Sequence, residues 1–163
     1  MDTSPADYEL ERLAEFCTAQ RTALRRLVLC HGCFDLLHVG HVRYLEAARA
    51  LGDVLVVTVT PDELVDKGPG RPVFAVRQRA ELLAALRCVG AVAINRWPTA
   101  VPTIELLRPD VYAKGAEYRA AAGDPASPVG EERAAVEAAG GRFALIDGEK
   151  FSSTQILKQL TAG

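Results

Sequence analysis

The sequence predicts a doubly wound α/β fold: a five-stranded parallel sheet, Rossmann-like, with helices on both faces. Three observations predict it. Short β-branched apolar runs alternate with helical patterns along the chain. The run DVLVVTVT over 53–60 is continuous, as a central strand covered on both faces requires. The polar, chemistry-bearing motifs fall where strands end and helices begin. Crossovers in such a sheet are right-handed, and ligands sit at the carboxyl ends of the strands, where strand order reverses. At 163 residues, the chain reads as a single sheet domain large enough for a real core.

The first element is a helix over 7–20. Leu10, Leu13, Ala14, Phe16 and Cys17 recur at helical spacing, and Ser4-Pro5 suits its start. It precedes the repeating strand–helix units. Residues 1–26 are therefore read as an N-terminal helical extension, and 27–163 as the main domain. The extension packs on the domain's side or at a contact with a second copy, which leaves a homodimer open. Residues 27–31 form the first strand. The chain turns at His31-Gly32-Cys33, and a helix opens at His38-Val39-Gly40-His41, running through Val42, Leu45 and Ala48 to Gly52. The second strand, 53–60, leads to a helical turn over 62–65 and a Gly/Pro loop, KGPGRP, over 67–72. A helix over 75–88 rests on the spacing of Val76, Ala80, Leu83 and Leu86. The third strand is 89–94, followed by a short helix over 99–107 that stops before Pro109. The fourth strand is 111–114. The Ala/Gly/Pro-rich stretch 120–129 reads as a mobile loop. A helix over 130–139 ends at Gly140-Gly141, the fifth strand is 143–146, and the final helix, 152–160, has Ser or Thr at its N-cap.

Composition narrows the functional classes. Hydrophobic residues make up 49% and charged ones 25%, ordinary globular usage. A net charge of −2 gives no reason to expect a nucleic-acid partner. No apolar run reaches about 18 residues, so no membrane span is expected. The acidic start MDTSPADYELERL lacks a secretory pattern, and four cysteines then read as cytosolic thiols, which points to a cytoplasmic protein.

The stretch from Leu27 to Gly52 carries the chemistry. A helix N-terminus after a tight turn presents unpaired N–H groups and a partial positive charge, a ready anion site. His38 and His41, at i and i+3, add donors on one helix face. Gly40 between them lacks a Cβ and lets a ligand approach the backbone. The loop Gly32-Cys33-Phe34-Asp35 offers backbone N–H groups to phosphate. Asp35 read by itself is a turn-capping residue, since Asp commonly bonds local backbone in turns. Cys30-x-x-Cys33 fits a redox motif formally, but Cys30 finishes the strand rather than opening a helix. The histidine pair with Cys33 lacks zinc-ligand spacing. Lys67 and Arg71 in the glycine loop suit an anionic substrate, against the alternative of a solvated loop. Trp97 either walls an acceptor pocket or anchors the core or an interface. Hydroxyls and amides at Ser152-Ser153-Thr154 can bind phosphate at a helix start.

HGCFDLLHVGH is similar to the signature of the nucleotidylyltransferase superfamily, H-x-G-H after a strand. KGPGRPV, an R-x-x-x-L helix and a late SST bring the resemblance closest to the heptose-1-phosphate adenylyltransferase group, with the glycerol-3-phosphate cytidylyltransferases as near relatives. It covers roughly residues 28–160. The resemblance implies an enzyme in which an acceptor phosphate displaces pyrophosphate from an NTP, with Mg²⁺ bridging phosphate oxygens and no dedicated cluster of protein metal ligands. It favours ATP and a heptose 1-phosphate, giving ADP-heptose. The alternatives are CTP with glycerol 3-phosphate or a related polyol phosphate, and a non-catalytic nucleotide-binding module. By the resemblance, His38, His41 and Lys67 act on the phosphates, Asp35 orders the loop or contacts the metal-bound phosphates, and Lys114, Gly115 and Glu117 of KGAEY line the nucleotide pocket. Arg79, favoured over Arg77, contacts phosphate or acceptor. Phe151-Ser152-Ser153-Thr154 with Lys158 matches the closing motif. Two positions depart from the pattern: Ala116 stands where a second glycine is common, and Lys158 cannot make arginine's bidentate contact.

Overall fold

Five apolar runs become the strands of one parallel sheet: Leu27–Gly32 (β1), Val54–Val59 (β2), Ala91–Ile94 (β3), Val111–Gly115 (β4) and Arg142–Ile146 (β5). The structure, a computed structural model, describes residues 7–149 and 152–162. Helices Leu10–Thr22 (α1), Val39–Arg49 (α2), Val76–Ala84 (α3), Val101–Leu107 (α4), Arg119–Gly123 (α5), Pro128–Ala138 (α6) and Ser153–Thr161 (α7) surround it. The predicted helix start at Ser4-Pro5 and the motif residue Phe151 lie outside the described residues.

Strand periodicity divides the core in two. Leu27, Leu29, Val54, Val56 and Tyr112 face α1, α4 and α6. Their neighbours Val28, Cys30, Leu55, Val57 and Ala113 face α2 and α3. Successive side chains of a strand point to opposite faces, so a strand buried on both sides is apolar along nearly its whole length. All six residues of β2 are buried. Helix α1 shares the first of these cores through Leu10, Leu13 and Cys17, and the Tyr8 carbonyl accepts from Ile94 N at 2.8 Å.

The sheet order β3-β2-β1-β4-β5 positions the site. From β1 the chain steps outward to β2 and β3, then crosses back to β4 on the other side. The direction reverses between β1 and β4, and the crevice beyond their carboxyl ends is where such sheets bind ligands.

Two local predictions are corrected. The stretch 120–129 is not a mobile loop: α5 occupies its start and α6 begins at Pro128. Ser127 caps α6, its Oγ accepting from Gly130 N at 2.9 Å and donating to Asp124 O at 2.9 Å. A Cβ on Gly130 would lie 1.9 Å from Asp124 O, so this glycine permits a close crossing rather than slack. The helix predicted over 75–88 ends at Ala84, because the chain then tightens through Val89 N→Leu86 O at 3.0 Å to enter β3.

Helix α1 ends in a left-handed turn, with Leu24 at φ 58° and the bonds Leu24 N→Arg21 O and Arg25 N→Gln20 O at 2.9 and 3.0 Å. Glycine is the usual residue there, since a Cβ is strained at that φ. Leu24 is 94% exposed and gains nothing from packing. Leu24→Gly should raise stability by about 0.5–1 kcal/mol, read as a higher midpoint in urea with an unchanged slope.

Candidate nucleotide site

His31 and Gly32 finish β1, and Lys114 and Gly115 finish β4, on the two sides of the reversal point. From Gly32 the chain crosses to α2, whose first turn carries both histidines. His38 is the N-cap, and its Nδ1 accepts from Gly40 N at 3.1 Å. His41 Nδ1 accepts from His38 N at 3.3 Å. The two rings stack, with centroids 3.9 Å apart, and Phe34 meets His41 edge-on at 5.6 Å. An Nδ1 that accepts carries no proton, so each neutral ring holds its hydrogen on Nε2. Burial lowers the pKa of both imidazoles, to about 4 for His41, where the neighbouring His38 and the Lys67 charge push further. Lys67 is thus close enough to act electrostatically on both rings. Both act as neutral Nε2–H donors at neutral pH.

Asp35 is wholly buried and ties three segments together. Its carboxylate accepts from Arg71 Nε at 2.8 Å, Val73 N at 2.8 Å, Phe74 N at 3.1 Å and Leu36 N at 3.1 Å. Its carbonyl accepts from Ser153 Oγ at 2.7 Å. Arg71, its side chain only 4% exposed, also donates from Nη1 to Thr154 Oγ1 at 3.2 Å. Its Nη2 is buried without a hydrogen-bond partner among the described residues. Burial pushes the Asp35 pKa up, but the Val73 and Phe74 amides and the Arg71 guanidinium outweigh it and hold the carboxyl below its usual value. Of the two readings of Asp35, the geometry favours loop ordering. Helix α7 starts at this knot, with Ser152 Oγ accepting from Gln155 N at 3.4 Å.

Arg79 is engaged elsewhere. It is 1% exposed and donates to Phe74 O at 3.0 Å, Cys33 O at 2.6 Å, Thr60 O at 2.8 Å and Asp62 Oδ1 at 2.7 Å. A weak contact to Cys33 Sγ takes the remaining donor, so the predicted phosphate or acceptor contact is replaced by a bracing role under the loop. Trp97 packs against the core of α1 and α4, which makes it a core anchor in place of an acceptor wall. Lys67, Glu117, Thr154 and Lys158 are exposed. A Cβ on Gly115 would lie 2.1 Å from Glu117 Oε2, so the missing side chain lets this carboxylate fold over the end of β4. All four cysteines are free thiols, and burial pushes Cys30 up to about 12, as expected of a packing residue. The sequence reading missed Glu132, buried on α6. The available signal was a carboxylate at i+3 in the apolar stripe from Val129 to Val136.

The pH response of the fold follows from these groups. Burial also drives His31 down to about 3. Below about pH 6.5 the unfolded chain takes up protons that the folded His31 and His41 refuse, so stability present at neutral pH is lost as pH falls. Asp35, held below its usual pKa, adds to the loss only under more acidic conditions. The melting temperature should therefore fall steadily from about pH 6.5 toward 4, measurable by calorimetry, and His41→Gln should flatten part of that slope.

Residues 29–159 match the model of the cytidylyltransferase-like family, most of the chain. The chain belongs to that family. It is accordingly a nucleotidyltransferase domain. The bifunctional protein HldE of Geotalea uraniireducens (strain Rf4) is 43% identical over 159 residues, covering 94% of this chain and 31% of that protein. The HldE of Methylobacillus flagellatus is 48% identical over 124 residues, 75% of this chain and 24% of that protein. The chain spans about a third of the length of the first of these relatives. Among solved structures, the lipopolysaccharide core biosynthesis protein from Thermoplasma volcanium GSS1 is similar, with a TM-score of 0.60 and 26% identity over 78% of this chain and 99% of that one. In this cytidylyltransferase-like chain the H-x-G-H histidines, the glycine loop and the start of α7 converge on the reversal point of the sheet.

Proposed function

We propose that the chain transfers AMP from ATP to the phosphate of a heptose 1-phosphate, releasing pyrophosphate and forming ADP-heptose. The observation that carries the reading is the stacked His38–His41 pair, fixed as Nε2–H donors at a helix N-terminus where strand order reverses. The choice of ATP and heptose rests on the sequence motifs and on the similarity to the HldE proteins. An acceptor phosphate oxygen attacks the α-phosphorus in line. The bond to the bridging oxygen breaks, and pyrophosphate leaves with that electron pair. No enzyme-bound intermediate is needed, so catalysis is positioning and charge stabilisation. His38 and His41 donate to oxygens whose charge grows in the transition state. Lys67 brings a cation over them. Amides from Ser152 to Thr154 and the hydroxyls of Ser152 and Thr154, with the buried Arg71 Nη2, receive the β- and γ-phosphates, while the Ser153 hydroxyl stays bound to the Asp35 carbonyl; Lys158 lies one turn further on. Glu117 meets the nucleoside at the end of β4.

Divalent metal is general to this family, and Mg²⁺ enters here as part of the substrate, MgATP. The described residues contain no group of three or more His, Cys, Asp or Glu placed to hold a metal ion, and the Asp35 carboxylate is taken by Arg71 and backbone amides. The chain's own groups are phosphate binders. No helix among the described residues is long and apolar enough to cross a membrane. Four free thiols fit a reducing, cytoplasmic setting.

A panel of four NTPs against heptose 1-phosphates and glycerol 3-phosphate, read by pyrophosphate release, tests the proposal. Release only with ATP and a heptose 1-phosphate supports it. Release with CTP and glycerol 3-phosphate favours the cytidylyltransferase reading, which the family's name keeps in view. Nucleotide-dependent thermal stabilisation without release in any pair would indicate a binding module.

A further inference from the structure

Beneath the β1–α2 loop runs a buried line of polar groups that the scheme above leaves without a role. Glu132 is 4% exposed inside α6. Its Oε1 accepts from Ala100 N at 2.9 Å and its Oε2 from Tyr112 Oη at 2.7 Å. The same Oε2 lies 3.9 Å from Lys114 Nζ. Lys114 is itself 7% exposed and donates to the His31 carbonyl at 3.1 Å. The Tyr118 ring centroid stands 4.8 Å from this ammonium. The His31 ring continues the line, with Nδ1 and Thr58 Oγ1 3.0 Å apart. The line thus runs from α6 through β4 and β1 to β2 and passes through the last residue before Gly32.

We propose that Glu132 is a positioning residue for nucleotidyl transfer: it holds the Lys114 ammonium in place, and Lys114 pins the His31 carbonyl from which the β1–α2 loop springs. A buried ammonium without a counter-charge is costly, and either sheds its proton or seeks water. The groups facing Lys114 are Cys30 and His31 on β1, Tyr112 beside it on β4, Glu117 and Tyr118 just after β4, and Glu132 on α6. Cys30 stays a neutral thiol, and Glu117 is exposed, so its charge is screened. Glu132 is the buried carboxylate of the set. Burial draws the Lys114 pKa down and Glu132 offers the strongest pull upward. Taking that charge away favours neutral Lys114, which loses a charge-assisted bond to His31. The loop then loses its fixed footing, and the histidines at its far end lose alignment. Misalignment of donors used in the transition state appears in kcat more than in KM.

The consequence for turnover rests on the transfer reading; the coupling of Glu132 to Lys114 does not. Both are read on the full chain. With four lysines in the chain, ¹³Cε-lysine labelling gives a small set of signals, and Lys114→Arg identifies one of them. Wild-type Lys114 should be charged at about pH 7.5. Glu132→Gln should lower its titration midpoint, bring the alkaline limb of kcat to lower pH, and cut kcat about tenfold with KM within about twofold. Glu132→Asp should restore part of the loss. Glu131→Gln, exposed on the same helix, should behave as wild type. The proposal is overturned by a wild-type Lys114 that is neutral at that pH, or by a Glu132→Gln protein in which neither the midpoint nor the limb moves. Should Glu132→Gln fail to fold, the wild-type titration and the Glu132→Asp profile decide. No pyrophosphate from the wild type with any NTP would sink the transfer reading, and the Lys114 midpoint would still decide the coupling.

Discussion

His41→Ala will lower kcat by about 10²–10³-fold while the protein stays folded. The ring's Nδ1 is occupied by the His38 amide, which fixes the proton on Nε2 and makes the imidazole a neutral, oriented donor. Such a donor acts where negative charge develops, and its loss is felt chiefly in the transition state. The structural cost is small by comparison. One capping bond is lost, worth about 1 kcal/mol, and the His38 bond to Gly40 remains. Steady-state pyrophosphate release, with circular dichroism as the folding control, separates the two effects. An unchanged kcat would remove His41 from the chemistry. A protein that loses its circular dichroism would instead assign the ring to the helix cap.

Asp35→Ala carries the largest expected cost to stability, about 3–5 kcal/mol. The carboxylate is buried against a guanidinium that is itself 4% exposed, so its removal strands a charge inside the protein. The amides of Val73 and Phe74 lose their acceptor at the same time. For a chain of this length the loss corresponds to a fall in melting temperature on the order of 10 °C. The double variant Asp35→Ala/Arg71→Met should recover a large share, since it removes the stranded charge as well as its partner. If the single variant melts within a degree or so of wild type, the knot of loop, glycine segment and α7 does not hold as described. Nucleotide affinity should fall with the single variant too, because Arg71 and Thr154 would no longer be held together.

The fold was legible because its signals are local. β2 is apolar at five of its six buried positions and β-branched at the sixth, Thr58, so its eight-letter run announced a two-sided strand. The turn at His31-Gly32-Cys33 and the histidines three apart marked a loop and a helix start without reference to anything distant. The roles of Arg79 and Trp97 were not legible in the same way. Arg79's acceptors come from Cys33, Thr60, Phe74 and Asp62, and only a folded chain brings them to one guanidinium. Seen alone, a lysine- or arginine-rich stretch beside a glycine loop suggests a ligand. Trp97 follows a strand that turns out to lie at the sheet's edge, on the side covered by α1, and strand order is not written in spacing. Glu132 hides for a related reason: its partners sit on two other segments, Ala100 at the start of α4 and Tyr112 and Lys114 on β4. The misread stretch 120–129 shows the opposite failure, in which small residues chosen for close packing resemble those chosen for freedom.

The two arginine–aspartate pairs have a joint consequence for Lys67. Asp62 is clamped by Arg79 and Arg71 by Asp35, so the span between them is a drawbridge with both abutments set in stone. Gly68 and Gly70 adopt φ of 89° and 73° with open space where a side chain would be. The lysine therefore has liberty of direction but a fixed leash, at most about 14 Å of backbone from Arg71. Its dwell time over the imidazoles is governed by loop length and glycine content, which makes this span a place where rate could be tuned without altering a single charge.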